Sequence, residues 1–304
     1  MENIDYITRI QELKKAKKAV ILAHYYQRPE VQAIADYLGD SLALSRIAAN
    51  TDAEVIVFCG VHFMAETAKL LAPQKKVLLP VKEAGCPMAN MVNEKELLEY
   101  KKANPNVKVI CYVNSTARIK ALSDVCVTSS NAEKVISQFQ KEKLLYIPDY
   151  NLGAYLKEKY QLDMDLWNGH CCIHNDITKE EVLEKRAKYP NAKLIVHPEC
   201  QLEIVKMADF VGSTKALLEF TKMSDCEEFI VGTEKGIINQ MQITSPNKKF
   251  HLLTENLVCY DMKLTHLEDV YRALEQEETV IEIDEDIKEK ALLSLTKMFE
   301  LTDK

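Results

Sequence analysis

The sequence has no run of basic residues. Lys and Arg together number 39 against 46 acidic residues, a formal net charge of −7, so the electrostatic footprint of a nucleic-acid or anionic-membrane partner is missing. No apolar run approaches the roughly 20 residues that cross a bilayer. Met1-Glu2-Asn3-Ile4-Asp5 lacks the basic and then apolar layout of a secretory leader. These absences predict a cytoplasmic protein. Neither Gly-x-Gly-x-x-Gly nor a phosphate-loop Gly-Lys-Ser/Thr occurs, which removes the commonest dinucleotide and nucleoside triphosphate sites. Gly232-Thr233-Glu234-Lys235-Gly236 is too short and wrongly spaced for either. No linker rich in Pro, Gly or Ser divides the chain. A disulfide framework is also unsupported: nine cysteines, an odd number, in a chain long enough to build a core without staples, point to reduced thiols, some of them ligands.

What is present is an ordinary globular composition, 47% hydrophobic and 28% charged in 304 residues, and a strand–helix order that comes round three times. An amphipathic helix opens the chain at residues 4–18, with Ile4, Ile7, Ile10 and Leu13 on one face. Short runs that are apolar throughout then alternate with helical patterns, the signature of parallel strands covered on both faces. In the first round the runs are Ala19–Ala23, Glu54–Cys59 and Lys76–Pro80, with helices at Pro29 to Tyr37 and on to Asn50. The second has Val107–Val113, Asp124–Thr128 and Lys143–Pro148, and the third Ala192–Val196, Ala208–Val211 and Glu228–Val231, with a further strand at Phe250–Leu253. Helices near Leu267–Gln276 and Ile287–Leu301 close the chain. A repeat of this length suits a small α/β unit and is a stronger signal than any single motif. Three units are expected, at residues 1–94, 95–180 and 181–304, the last carrying C-terminal helices free to pack back on the first.

Each unit brings chemistry at corresponding places. Cys86 lies 85 residues before Cys171, and Cys259 lies 88 after it, so three units each send one thiol to a shared centre. Around Cys171 the stretch Trp167-Asn168-Gly169-His170-Cys171-Cys172-Ile173-His174 holds a Cys-x-x-His, a pattern suited to zinc, copper or an iron–sulfur centre. Three thiolates leave a coordination position open on zinc or on one iron of a [4Fe–4S] cluster, and spacing alone does not choose between them. Ligands of parallel α/β sheets bind beyond the carboxyl ends of the strands. The first strand of each unit ends in His24-Tyr25-Tyr26, Tyr112-Val113-Asn114 or His197-Pro198-Glu199. His197 and Glu199 alternate and face the same side of an extended chain. Glu199 is suited to act as a general base if burial raises its pKa toward neutrality, with Tyr26 placed to donate a proton or orient a carbonyl. Helices open at Asp40-Ser41, Thr128-Ser129-Ser130-Asn131 and Gly212-Ser213-Thr214. There Ser41, Ser129, Ser213 and Thr214 either cap the helix or add donors for an anionic substrate at its positive end. Cys59, Cys111 and Cys126 fall inside strand runs and are expected to pack as small apolar residues.

Taken in order, His24-Tyr25-Tyr26-Gln27-Arg28-Pro29-Glu30-Val31-Gln32, Gly39-Asp40-Ser41, Phe63-Met64-Ala65-Glu66-Thr67-Ala68, Cys86-Pro87-Met88-Ala89, Tyr112-Val113-Asn114, Thr128 to Ala132, Trp167 to His174, His197-Pro198-Glu199-Cys200 and Gly232-Thr233-Glu234 resemble the quinolinate synthase family over almost the whole chain. The resemblance implies three α/β/α domains in pseudo-threefold symmetry around a central active site. It also implies one [4Fe–4S] cluster per chain, acting as a Lewis acid on Cys86, Cys171 and Cys259. The implied reaction joins iminoaspartate to dihydroxyacetone phosphate and releases phosphate and two waters, giving quinolinate for NAD biosynthesis. An L-aspartate oxidase or dehydrogenase would supply the imine. By matching position, His24, Ser41, Tyr112, Asn114, Ser129, His197, Glu199 and Thr214 would bind substrate or intermediates, with Tyr26, Glu199 and His174 as acid–base or orienting groups. Two features depart from the fuller family pattern. Cys259 stands alone in Val258-Cys259-Tyr260-Asp261 where some members carry Cys-x-x-Cys-x-x-Cys, and Gly85-Cys86-Pro87 gives the first ligand loop an unusual turn. The competing readings are a zinc-dependent lyase or aldolase and a cluster-bearing redox sensor without catalysis.

Overall fold

A computed structural model describes residues 5–303. Ile4, assigned above to the opening helix, lies outside the described residues; the helix itself spans Tyr6–Ala16. The strands fall into three four-stranded parallel sheets. The first holds β1 (Ala19–His24), β2 (Tyr37–Gly39), β3 (Val55–Cys59) and β4 (Lys76–Leu78). The second holds β5 (Lys108–Tyr112), β6 (Val125–Val127), β7 (Leu144–Ile147) and β8 (Met164–Leu166), and the third β9 (Lys193–Val196), β10 (Phe210–Val211), β11 (Glu228–Gly232) and β12 (Lys249–Leu252). The spatial order is the same in all three: β2-β1-β3-β4, β6-β5-β7-β8 and β10-β9-β11-β12. The α/β class and the threefold repeat of similar units are therefore present as expected.

Two strands escape the periodicity argument. β2 and β8 are three-residue edge strands, too short to show a pattern, and β2 takes residues that the sequence placed at the end of a helix. That helix stops at Ile34 because Asp36 is drawn onto the neighbouring strand. Its backbone N–H donates to Ile21 O at 2.9 Å, and its carboxylate accepts from Ile21 N at 2.8 Å. The same device recurs in each unit: Asp124 accepts from Val109 N at 2.9 Å and Asp209 from Leu194 N at 2.7 Å.

Alternation along the strands splits each sheet's side chains between two faces. In the first sheet Val20, Leu22, Ile56 and Phe58 join one apolar cluster, while Ile21, Ala23, Val55 and Val57 join another with Ile10, Val270 and Leu274. The second face is thus covered by the opening helix and by the helix Leu267–Gln276. In the third sheet Leu194, Val196 and Ile230 face one cluster, and Ile195, Phe229 and Val231 the other. The last helix, Glu285–Asp303, lays Leu295 and Met298 into the cluster that also holds Val109, Ile119 and Val125 of the second unit. No helix is long and apolar enough to cross a membrane among the described residues.

The strand order positions the site. In an order 2-1-3-4 the connections leave the first and third strands toward opposite edges, and the crevice opens between their carboxyl ends. Those ends lead into His24, Tyr112 and His197 from the first strands, and into Val61, Asp149 and Glu234 two residues beyond the third.

Candidate active site

The three crevices open onto one cavity, part of it open to solvent. His24, Tyr26, Ser41 and Cys86 line it from the first unit, Tyr112, Asn114, Ser129, Cys171 and His174 from the second, and His197, Glu199, Thr214 and Cys259 from the third. All but one of the site residues expected from the sequence therefore share a wall. The exception is Ser213. Its hydroxyl accepts from Ala216 N at 3.2 Å as the N-cap of the helix Thr214–Met223 and is not part of the cavity lining. The helix Ser41–Asn50 is capped in the same way by Asp40, which accepts from Ala43 N at 2.9 Å.

The helix-start loops also join the units to one another. The Ser130 hydroxyl donates to the Asp40 carboxylate and stands 2.9 Å from Ser213 Oγ, so one side chain of the second unit touches both of the others. On the cysteine side, Trp167 Nε1 donates to Met91 O at 2.9 Å, which braces the Cys171 loop against the segment following Cys86. Burial pushes the Cys86 and Cys259 thiols up to about 12 and Cys171 well above its ordinary value. Thiols in this setting lose their protons to a bound metal. As expected, Cys59, Cys111 and Cys126 are wholly buried in the strands.

Glu199 departs from the expectation set for it. Burial, the largest influence, pushes its carboxyl up, but His197, His174 and Tyr112 together outweigh burial and hold it at about 2. It is therefore ionised at neutral pH rather than poised near it. His174 Nδ1 lies 2.8 Å from Glu199 Oε2 and 3.2 Å from Cys171 Sγ, and the His174 ring stacks on His197 with centroids 4.8 Å apart. His197 and His24 are neutral: burial lowers them to about 4 and about 3 respectively. His24 Nδ1 accepts from Tyr26 N at 3.1 Å, which leaves its ring proton on Nε2.

Thr233, quoted above only as part of a motif, connects the acid–base residues. Its Oγ1 lies 2.7 Å from the Tyr26 hydroxyl and 2.8 Å from His174 Nε2. An ionised carboxylate only accepts, so His174 carries its proton on Nδ1 and donates to Glu199. With Nε2 unprotonated, that nitrogen accepts from Thr233, and Thr233 Oγ1 accepts from Tyr26. Thr214 Oγ1 stands 2.9 Å from the same phenol. The result is a continuous chain, Tyr26 to Thr233 to His174 to Glu199, with Thr233 and His174 both buried. Burial holds Tyr26 well above the ordinary phenol value, so it keeps its proton at rest. Two side-chain oxygens of the site have no partner among the described residues although buried, Asn114 Oδ1 and Glu199 Oε1. Buried polar atoms rarely stay unpaired, and here they belong to residues that line the cavity.

A family model described as Quinolinate synthetase A protein matches residues 8–300. The chain is 48% identical over 302 residues to a quinolinate synthase of Alkaliphilus metalliredigens, an alignment spanning 99% of this chain and 100% of the relative. It is 47% identical over 299 residues to a quinolinate synthase of Clostridium perfringens, spanning 98% and 99%. To a quinolinate synthase of Clostridioides difficile it is 45% identical over 300 residues, again spanning 98% and 99%.

Proposed function

The chain belongs to the quinolinate synthase family, enzymes of NAD biosynthesis, and on that premise we propose that it joins iminoaspartate to dihydroxyacetone phosphate, forming quinolinate with loss of phosphate and two waters. One observation carries the reading: Cys86, Cys171 and Cys259, from three different units, line the same cavity as the unpartnered oxygens of Asn114 and Glu199. The donor set fits a [4Fe–4S] cluster. Zinc bonds each thiolate at about 2.3 Å and needs its donors gathered within reach of one ion. Among the described residues the group so gathered is Cys171, His174 and Glu199, without Cys86 or Cys259. Thiols spread around a cavity suit a centre with several irons. Cys86, Cys171 and Cys259 would hold such a cluster, and it would supply Lewis-acid polarisation of a hydroxyl or carboxylate oxygen.

The remaining chemistry falls to side chains. Both substrates are anionic, yet among the described residues no Lys or Arg lines the cavity. Their charge is met instead by the amino ends of the helices starting at Ser41 and Thr214, with the Ser129 hydroxyl and the His24 Nε2–H as donors. The Asn114 carbonyl oxygen accepts from the imine N–H, and Tyr112 closes the same wall. Tyr26 hands its proton through Thr233 to His174, whose imidazolium Glu199 stabilises, so that the phenolate serves as base toward the triose. This is the logic by which a base and an orienting carboxylate activate a hydroxyl in hydrolase triads. Glu199 Oε1 is left free to accept a hydrogen bond from the substrate.

Anaerobic purification followed by iron and acid-labile sulfide analysis tests the cofactor. About four of each per chain is expected of one cluster; zinc without sulfide in an active preparation would overturn it. Glu199→Gln should keep that iron content while quinolinate formation stops, and full turnover in the variant would remove Glu199 from the mechanism. The imine is supplied by an L-aspartate oxidase or dehydrogenase reaction, so the assay couples one of these to the enzyme.

A further inference from the structure

Two buried carboxylates hold ligand loops by the backbone rather than by the side chain. Asp149 is fully buried, and its two oxygens accept separate amides, Oδ1 from Leu152 N at 2.6 Å and Oδ2 from Cys171 N at 3.1 Å. Glu234, also fully buried, accepts from Cys259 N at 3.2 Å on Oε1 and from Gly236 N at 2.7 Å on Oε2, while Lys263 Nζ stands 2.9 Å from Oε1. The two occupy matching places, two residues past β7 and two past β11. In the first unit that place is Val61, and the amide beside Cys86, Gly85 N, finds its carboxylate in the third unit, at Asp261 Oδ1, 3.1 Å away.

From this geometry we infer that Asp149 and Glu234 are positioning residues, which fix the backbone of Cys171 and Cys259 so that their thiols are set for the cluster before it binds. The inference rests on the cluster reading above. A cysteine's N–H lies in the peptide plane that also carries its N–Cα bond, so an acceptor that fixes the N–H direction fixes the axis from which the Cβ and sulfur are hung. Partners of this kind around a metal site commonly change its affinity by about 10–100-fold when removed. Ordinary capping explains only half of Asp149: the bond to Leu152 N belongs to the helix Tyr150–Tyr160, and the bond to Cys171 N does not.

Asp149→Asn and Asp149→Ser separate the two roles. Asn and Ser cap helices about as well as Asp, but Asn offers an N–H₂ where the second oxygen stood and Ser is too short to reach. Glu234→Gln is the independent third variant, because both of its oxygens already accept amides. Each is purified anaerobically beside the unaltered protein. Iron and sulfide per chain, the rate of iron release to a chelator, the electron paramagnetic resonance spectrum of the reduced cluster and the far-ultraviolet circular dichroism are compared. Native dichroism with iron released about tenfold faster or more, together with a broadened or shifted resonance, is expected in all three. Release within twofold of the unaltered protein and an unchanged spectrum in the Asp149 variants and in Glu234→Gln overturns the inference. If the Asp149 variants do not fold, Glu234→Gln decides it alone by the same criterion. A lack of iron and sulfide in the unaltered protein would instead overturn the cluster itself.

Discussion

Thr233 Oγ1 stands 2.8 Å from His174 Nε2, and this contact joins the two halves of the acid–base apparatus. Without it the Tyr26 phenol keeps Thr214 as its one side-chain partner among the described residues, and the His174–Glu199 pair is cut off from the phenol. Thr233→Val keeps the shape and removes the hydroxyl. Quinolinate formation should fall about 10²-fold, the lower range for loss of a positioned proton-transfer group, with iron content unchanged. Steady-state kcat and KM measured side by side should place the loss in kcat. An unaltered kcat would show that Tyr26 does not work through His174.

How much of this site was legible beforehand depends on the kind of signal. Apolar runs such as Val55–Cys59 announce strands because both faces of a parallel sheet are covered. Cys86, Cys171 and Cys259 stand out by spacing alone. Tyr37–Gly39 and Met164–Leu166 do not, since a three-residue edge strand has no period to read. A signal for the first did exist: Asp36, Asp124 and Asp209 each begin a second-strand segment and each bind a first-strand amide, so aligning the three rounds on aspartate would have exposed the missing strand. Thr233 was hidden for another reason. Its role depends on two side chains from other units meeting at one hydroxyl, and no local pattern encodes that. The depressed pKa of Glu199 comes partly from His197, two residues away in its own segment, and partly from His174 of another unit, and only the second contribution lies beyond any local pattern.

The joint between units gives a stability prediction. Ser130 donates to Asp40 and touches Ser213, from a partly buried position. Ser130→Ala removes a bond to a charged acceptor, which costs about 1.5–3 kcal/mol and leaves a buried Asp40 oxygen less well satisfied. For a chain of this size that corresponds to a fall in Tm of roughly 2–5 °C, measured by thermal unfolding under anaerobic conditions. A Tm unchanged within one degree would mean that the three helix-start loops are held by packing alone.

Acid should destabilise the protein before its carboxylates titrate. His24 and His197 have native values of about 3 and about 4, whereas an exposed histidine titrates near 6.5. As pH falls through 6.5 the unfolded chain binds protons that these rings, His24 beside Lys263 and His197 beside His174, still refuse. The unfolded state then holds more protons, so stability falls with falling pH until the native values are reached. The window runs from about 6.5 down to about 4, and each ring contributes roughly 1–3 kcal/mol across it. Thermal unfolding between pH 7 and pH 4 should show this decline, and His197→Gln should flatten it. An equal slope in the variant would mean that His197 is already charged in the native protein.

Glycine at position 169 is demanded by space rather than by backbone angle. A Cβ there would lie 2.6 Å from the Pro148 carbonyl oxygen and 3.2 Å from Met91 Cβ, and the first of these is backbone that cannot swing aside. The same glycine donates to Pro148 O at 3.1 Å and accepts from Tyr150 N at 2.7 Å, so the loop cannot lift without breaking both bonds. Gly169→Ala should therefore shift the Trp167–Cys171 stretch, at the cost of about 1–3 kcal/mol that overpacking carries. Iron per chain should fall because Cys171 moves with it. Gly85→Ala is the matched control one residue from Cys86, where the nearest atom, Asp261 Oδ1, would be 3.6 Å from the new Cβ. That variant should keep its iron. Equal iron in both would show that the Cys171 loop relocates without carrying its thiol out of place, whereas loss in Gly169→Ala alone ties the tight packing of this turn to the placement of the sulfur.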